Sequence, residues 1–156
     1  MDGNPNVTPE VVQDALRAYR GRGLRRLLSA VRELGGSLSQ SSRHVVVPEA
    51  LSASLEEDGR RMPEVAAHEG EKTDGEPWRR KLRFVEARLQ ASLDEVLRER
   101  KVARRSEGWG PGGPAAPGGG GTGVPYRDET ELHRDLLLVA DTLRSAGGPH
   151  SGAHRA

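Results

Sequence analysis

The chain has 156 residues, of which 34% are apolar and 30% charged, with 20 glycines, 10 prolines and a formal net charge of +1. The absence of cysteine excludes disulfide stapling and thiolate metal sites. The near-zero net charge excludes the one-signed composition of a wholly disordered chain, but only five residues are aromatic (Tyr19, Trp78, Phe84, Trp109 and Tyr126), which leaves little bulk for a single large core.

Residues 1–30 lack the apolar core of a signal peptide. No stretch approaches the roughly 20 apolar residues of a membrane span. A soluble intracellular protein of the cytoplasm or nucleus, without membrane attachment, is therefore expected. Charge alternates along the chain: residues 1–35 carry +2, 36–76 carry −5, 77–105 carry +6 and 106–156 carry −2. The acidic block can dock on the basic one, although exposed charges attract weakly in physiological salt. Arginine outnumbers lysine 21 to 3.

Thr8-Pro9-Glu10 is a helix start, with a capping hydroxyl, a proline of preset φ and an acid at the positive helix end. Val11, Val12, Ala15, Leu16 and Tyr19 follow at helical spacing. Gly21-Arg22-Gly23 interrupts them, each glycine costing about 1 kcal/mol inside a helix. Leu24, Leu27, Leu28, Val31 and Leu34 resume the period until Gly35-Gly36. The spacing predicts a short helical hairpin, or one bent helix, with segments near 8–20 and 23–35. The apolar pattern from Leu16 to Leu34 resembles the opening helices of the harmonin-homology helical domains. That likeness covers about a score of residues and implies no function here.

Pro48 is placed to start a short helix over 48–56. Residues 57–76 are acidic and poor in large apolar groups, which predicts a disordered linker. Pro77 opens the longest candidate helix, 77–105, whose Trp78, Leu82, Val85, Leu89, Leu93, Val96 and Leu97 share one face. The Gly/Pro-rich stretch 106–127 reads as a flexible linker. Asp128 then caps a last amphipathic helix over 128–145, stopped by Gly147-Gly148-Pro149, and 146–156 is a disordered tail. The fold class expected is all-α, with an N-terminal helical segment over 8–56, the two later helices, and disordered joints between them.

No catalytic constellation is found. Of five histidines, only His150 and His154 have helical metal spacing, and both lie in a Gly/Ser-rich tail. The tract 118–123 lacks the lysine, the hydroxyl residue and the strand-helix setting of a phosphate loop. No catalytic residue, cofactor or metal is expected, and the chain reads as non-enzymatic.

Three binding readings remain. The first is a helical adaptor or small subunit of a multiprotein complex, which docks on protein partners or on itself. Its contacts would be Leu82, Val85, Leu89 and Val96 on one helix and Leu132, Leu136, Val139 and Leu143 on the other. The second is an Arg-rich nucleic-acid or chromatin-associated factor using residues 79–105, with Arg98, Arg100, Lys101, Arg104 and Arg105 dense enough for a nuclear import signal. The third rests on Arg80-Lys81-Leu82-Arg83-Phe84, which resembles the short docking motif of protein phosphatase 1 regulators. That resemblance implies an extended peptide laid along a sheet edge, a use of Leu82 that conflicts with the helical stripe.

Overall fold

A computed structural model describes residues 7–38, 46–70, 73, 75–106 and 122–147. The described residues form five helices, α1 (Pro9–Ser37), α2 (Glu49–Arg61), α3 (Pro63–Gly70), α4 (Pro77–Ser106) and α5 (Glu129–Gly147), and contain no strand. The protein is all-α, as its periodicities predict.

Helix α4 is the hub. Its 30 residues extend about 45 Å at 1.5 Å per residue. Helix α1 runs antiparallel to it, with Asp14 beside Arg100 at one end and Arg32 beside Glu86 at the other. Helices α2, α3 and α5 gather around the first half of α4. Helix α5 is also antiparallel to α4, because Trp78 reaches Thr142 while Arg88 reaches Glu131.

The hairpin expected from Gly21-Arg22-Gly23 is not formed; α1 is one continuous helix. Gly21 is buried in its seam with α4, where a Cβ would lie 3.8 Å from Val96. Close packing of the two helices offsets the intrinsic cost of glycine. The start of α1 follows the sequence closely: the Val11 amide donates to Thr8 Oγ1 at 3.4 Å.

The acidic stretch also differs from expectation. Helix α2 continues to Arg61, and α3 occupies part of what reads as linker. Pro63, which has no amide proton to continue the ladder, separates the two at Met62. Met62, Val65 and Phe84 form a small apolar cluster, so the few large groups in this stretch are used against α4. Gly75, at φ +75, makes the left-handed turn into α4 that other residues rarely adopt. Most of the Gly/Pro tract, Trp109 and the last nine residues lie outside the described residues.

The main core joins Leu28 and Val31 of α1, Leu51 of α2, Trp78, Leu82, Val85, Leu89 and Leu93 of α4, Tyr126, and Val139 of α5. The apolar stripes of α4 and α5 therefore close on one another and on Leu28 and Val31 of α1.

Candidate functional site

The most organised polar region is a buried ionic network between α2, α4 and α5. Lys81, 1% exposed, donates to Asp58 Oδ2 at 2.6 Å, Asp135 Oδ1 at 2.9 Å and Ser54 Oγ at 2.8 Å. All three ammonium protons have acceptors. The other Asp135 oxygen accepts from Arg88 Nη1 at 3.2 Å and from the Tyr126 hydroxyl at 2.8 Å. Arg88 also donates to Glu131 and to the Val124 carbonyl, and its guanidinium lies 3.8 Å from the Tyr126 ring centroid. Ser92 Oγ donates to the Arg88 carbonyl and accepts from the Tyr126 amide.

The local helices explain this placement. Lys81, Arg88 and Ser92 are spaced seven and four apart, so they share a flank of α4 beside the apolar stripe. Asp128 Oδ1 accepts from the Glu131 amide and starts α5, which orients Glu131 and Asp135 toward that flank. Burial raises Asp58 above its ordinary value, and the Lys81 charge opposes the rise. Burial, then the neighbouring Asp135 carboxylate, pushes the Tyr126 phenol far above its usual range, so it is a neutral donor. The network is internally satisfied and suited to fixing helices in place.

A second polar region is a cleft of about 450 Å³ whose lining includes Arg32, His68, Glu69, Arg83, Glu86 and Gln90. Glu86 accepts from Arg32 Nε at 2.6 Å and Arg83 Nη1 at 2.8 Å. Burial works to raise its pKa, but the two guanidinium groups prevail and hold it below the carboxylate norm. The Nε atoms of Arg79, Arg80 and Arg83 are buried without a hydrogen-bond partner. Among the described residues no group of three or more histidines and carboxylates is placed to hold a metal ion.

The eight residues expected to meet a partner lie inside the molecule. Leu82, Val85, Leu89, Val96 and Val139 are buried, while Leu132, Leu136 and Leu143 pack half-buried against the same core. The presumed import residues occupy the end of α4. Arg98, Lys101, Arg104 and Arg105 are exposed there, while Arg100 grips Asp14 through two bonds of 2.9 and 3.2 Å. The phosphatase-type motif is helical, with Lys81, Leu82 and Phe84 each 1% exposed, so it offers no extended peptide. His150 and His154 lie outside the described residues. Asp58, Lys81, Arg88, Tyr126, Glu131 and Asp135 carry no sequence signal as a group. Their partners are 23 to 54 residues apart for Lys81 and up to 47 for Arg88.

Comparison with known proteins supplies the functional class. The family model for phosphoenolpyruvate carboxylase matches residues 1–154. The chain is 34% identical over 152 residues to a phosphoenolpyruvate carboxylase of Xanthomonas campestris pv. campestris strain 8004, covering 97% of this chain and 14% of the relative. It is 34% identical over 154 residues to that of Paraburkholderia xenovorans, covering 99% of this chain and 14% of the relative. It is 36% identical over 146 residues to that of Nocardia farcinica, covering 94% and 14% respectively. The chain thus spans about one-seventh of the length of these curated relatives. No solved structure matches it.

These matches overturn the non-enzymatic adaptor and its protein partners, together with the nucleic-acid and phosphatase alternatives. Amphipathic periodicity reports that a helix packs, and it is the same whether the helix packs in an adaptor or inside an enzyme. Nothing in the comparisons supports a nuclear protein; no described helix is long and apolar enough to cross a membrane. With residues 1–154 matched by its model, the chain belongs to the phosphoenolpyruvate carboxylase family.

Proposed function

We propose that the chain is a helical scaffold segment of a phosphoenolpyruvate carboxylase, an enzyme that works inside the cell to attach a one-carbon unit to phosphoenolpyruvate. The observation that carries this is the family match over residues 1–154 combined with 14% coverage of the relatives. The remaining part of a full-length carboxylase would then hold the substrate. Phosphoenolpyruvate is a small polyanion, and arginine suits its phosphate and carboxylate. The buried guanidinium of Arg88 is already committed to Asp135 and Glu131, which favours a structural role. In this reading Leu82, Val85, Leu89, Val96, Leu132, Leu136, Val139 and Leu143 are core contacts of the segment, and the arginines of 98–105 have no import function.

The test is a graft. The matched stretch of the Xanthomonas campestris carboxylase is replaced by this chain, and phosphoenolpyruvate-dependent carboxylation is measured beside a version lacking the stretch. Recovered activity supports the reading. A soluble, folded graft with no activity refutes it.

A further inference from the structure

Helix α1 has two apolar faces, and among the described residues only one of them is covered. Leu24, Leu28 and Val31 turn toward α4 and the core. On the other side, Val12, Leu16, Tyr19, Leu27 and Leu34 form a second stripe, with exposures of 45, 63, 67, 37 and 39%. Gly23 and Ala30, also exposed, complete its register, and the steps from Val12 to Leu34 are 4, 3, 4, 4, 3 and 4. That is the pattern of a helix face buried along its whole length. A contiguous exposed apolar stripe of this kind marks an interaction surface.

The flanks narrow the occupant. Arg20, Arg22 and Arg26 border the middle of the stripe, and Arg22 stacks over Tyr19 at 5.4 Å. The inward arginines Arg17 and Arg32, by contrast, meet Glu99 and Glu86. A second copy packed antiparallel through Gly23 would set these outer arginines against their own equivalents, a like-charge arrangement that disfavours self-pairing. At Gly23 an added Cβ would meet nothing within 4 Å, which leaves room for another backbone to approach. The relatives are about seven times longer than this chain, so most of a carboxylase polypeptide is available to cover the face.

We infer that the outer stripe of α1 is the docking face for a helix from the rest of the carboxylase polypeptide, one with an apolar stripe flanked by Asp and Glu. This rests on the proposed function, and the test separates the two. The chain has no cysteine, so Leu16→Cys introduces a single alkylation site. Its labelling rate is measured in the 156-residue chain and in the graft described above, with peptide mass locating the label. Fast labelling in the chain alone and labelling slowed about tenfold or more in the active graft is the expected result, since a covered site reacts only through opening.

Equal labelling in the chain and in an active graft overturns the inference and leaves the proposed function standing. Protection in the chain alone also overturns it. A dimer mass would then give the face to a second copy, and a monomer mass to the chain's own residues. An inactive graft counts against the proposed function only. The docking face is then decided by peptides tiling the Xanthomonas campestris carboxylase outside the matched stretch, titrated against the chain. Binding by an acid-flanked amphipathic peptide, lost in Leu16→Ser/Leu27→Ser and kept in Val102→Ser, supports the inference. No such peptide, or stripe-dependent binding to anionic vesicles in its place, overturns it.

Discussion

The ammonium of Lys81 lies 2.6 Å from a carboxylate oxygen of Asp58, and both side chains are almost wholly withdrawn from solvent. Such a pair is costly to desolvate and more costly to break, because removing one member strands the other. Lys81→Met is expected to cost about 3–5 kcal/mol by leaving Asp58 and Asp135 without their shared cation. Adding Asp58→Leu to that variant should restore part of the loss, and a urea-unfolding cycle over the four proteins measures the coupling. An additive cycle would mean the two groups do not interact as described.

Gly123 meets the backbone of α4 so closely that an added Cβ would collide with the Ala87 carbonyl group. Neither atom is the end of a flexible side chain, so Gly123→Ala must move main chain. A loss of about 1–3 kcal/mol is expected. Gly35→Ala is the control: the residue lies within α1, and the new methyl meets nothing within 4 Å. It should stabilise by about 0.5–1 kcal/mol, read as a raised melting midpoint.

Acid should loosen α1 from α4. The hydrogen bonds from Arg100 hold Asp14 below its ordinary 3.8. A carboxylate with a depressed folded pKa contributes stability above its unfolded value, and that contribution is lost as pH falls through the folded one. Asp14→Asn should therefore lower the melting midpoint near neutral pH and leave it unchanged in strong acid. The difference between the two proteins should close below 3.8. Asp58 acts in the opposite sense. Its pKa is raised, so its ionisation costs stability as pH climbs through the folded value.

The Trp78 indole donates to Thr142 Oγ1 at 3.0 Å inside the core. Trp78→Phe keeps most of the apolar bulk and removes the donor. The expected cost is about 1 kcal/mol from the bond, with a further loss from the smaller ring. Thr142→Val should lose the same bond, and the two changes should be less than additive in thermal unfolding.

Most of the helical architecture was legible because its causes are local. Thr8, Pro77 and Asp128 mark helix starts by chemistry that needs no knowledge of the fold. The stripe from Trp78 to Val96 identified the buried face of α4. What the stripe packs on was not legible. Leu82 and Leu89 share one core with residues of α1, α2 and α5, a grouping that depends on how distant segments return. Lys81 and Arg88 were hidden for the same reason, since a cation beside an apolar stripe is a surface residue until its distant acids are known. The Gly21-Arg22-Gly23 break was misread because the gain from a close seam at Gly21 is a property of two helices and not of one. The enzyme family left no sign in motif or spacing, because the chain matches only 14% of its relatives' length and its apolar stripes are those of any packed helix.

At Gly123 and Ala87 the two sides of one contact carry unequal demands. Position 87 presents a carbonyl, which every amino acid owns, whereas position 123 must present nothing at all. A saturation library screened for folded protein should tolerate several small replacements at 87 and return a single letter at 123. That invariance would record where a strand of backbone has to thread between α4 and its surroundings, with no chemistry at stake.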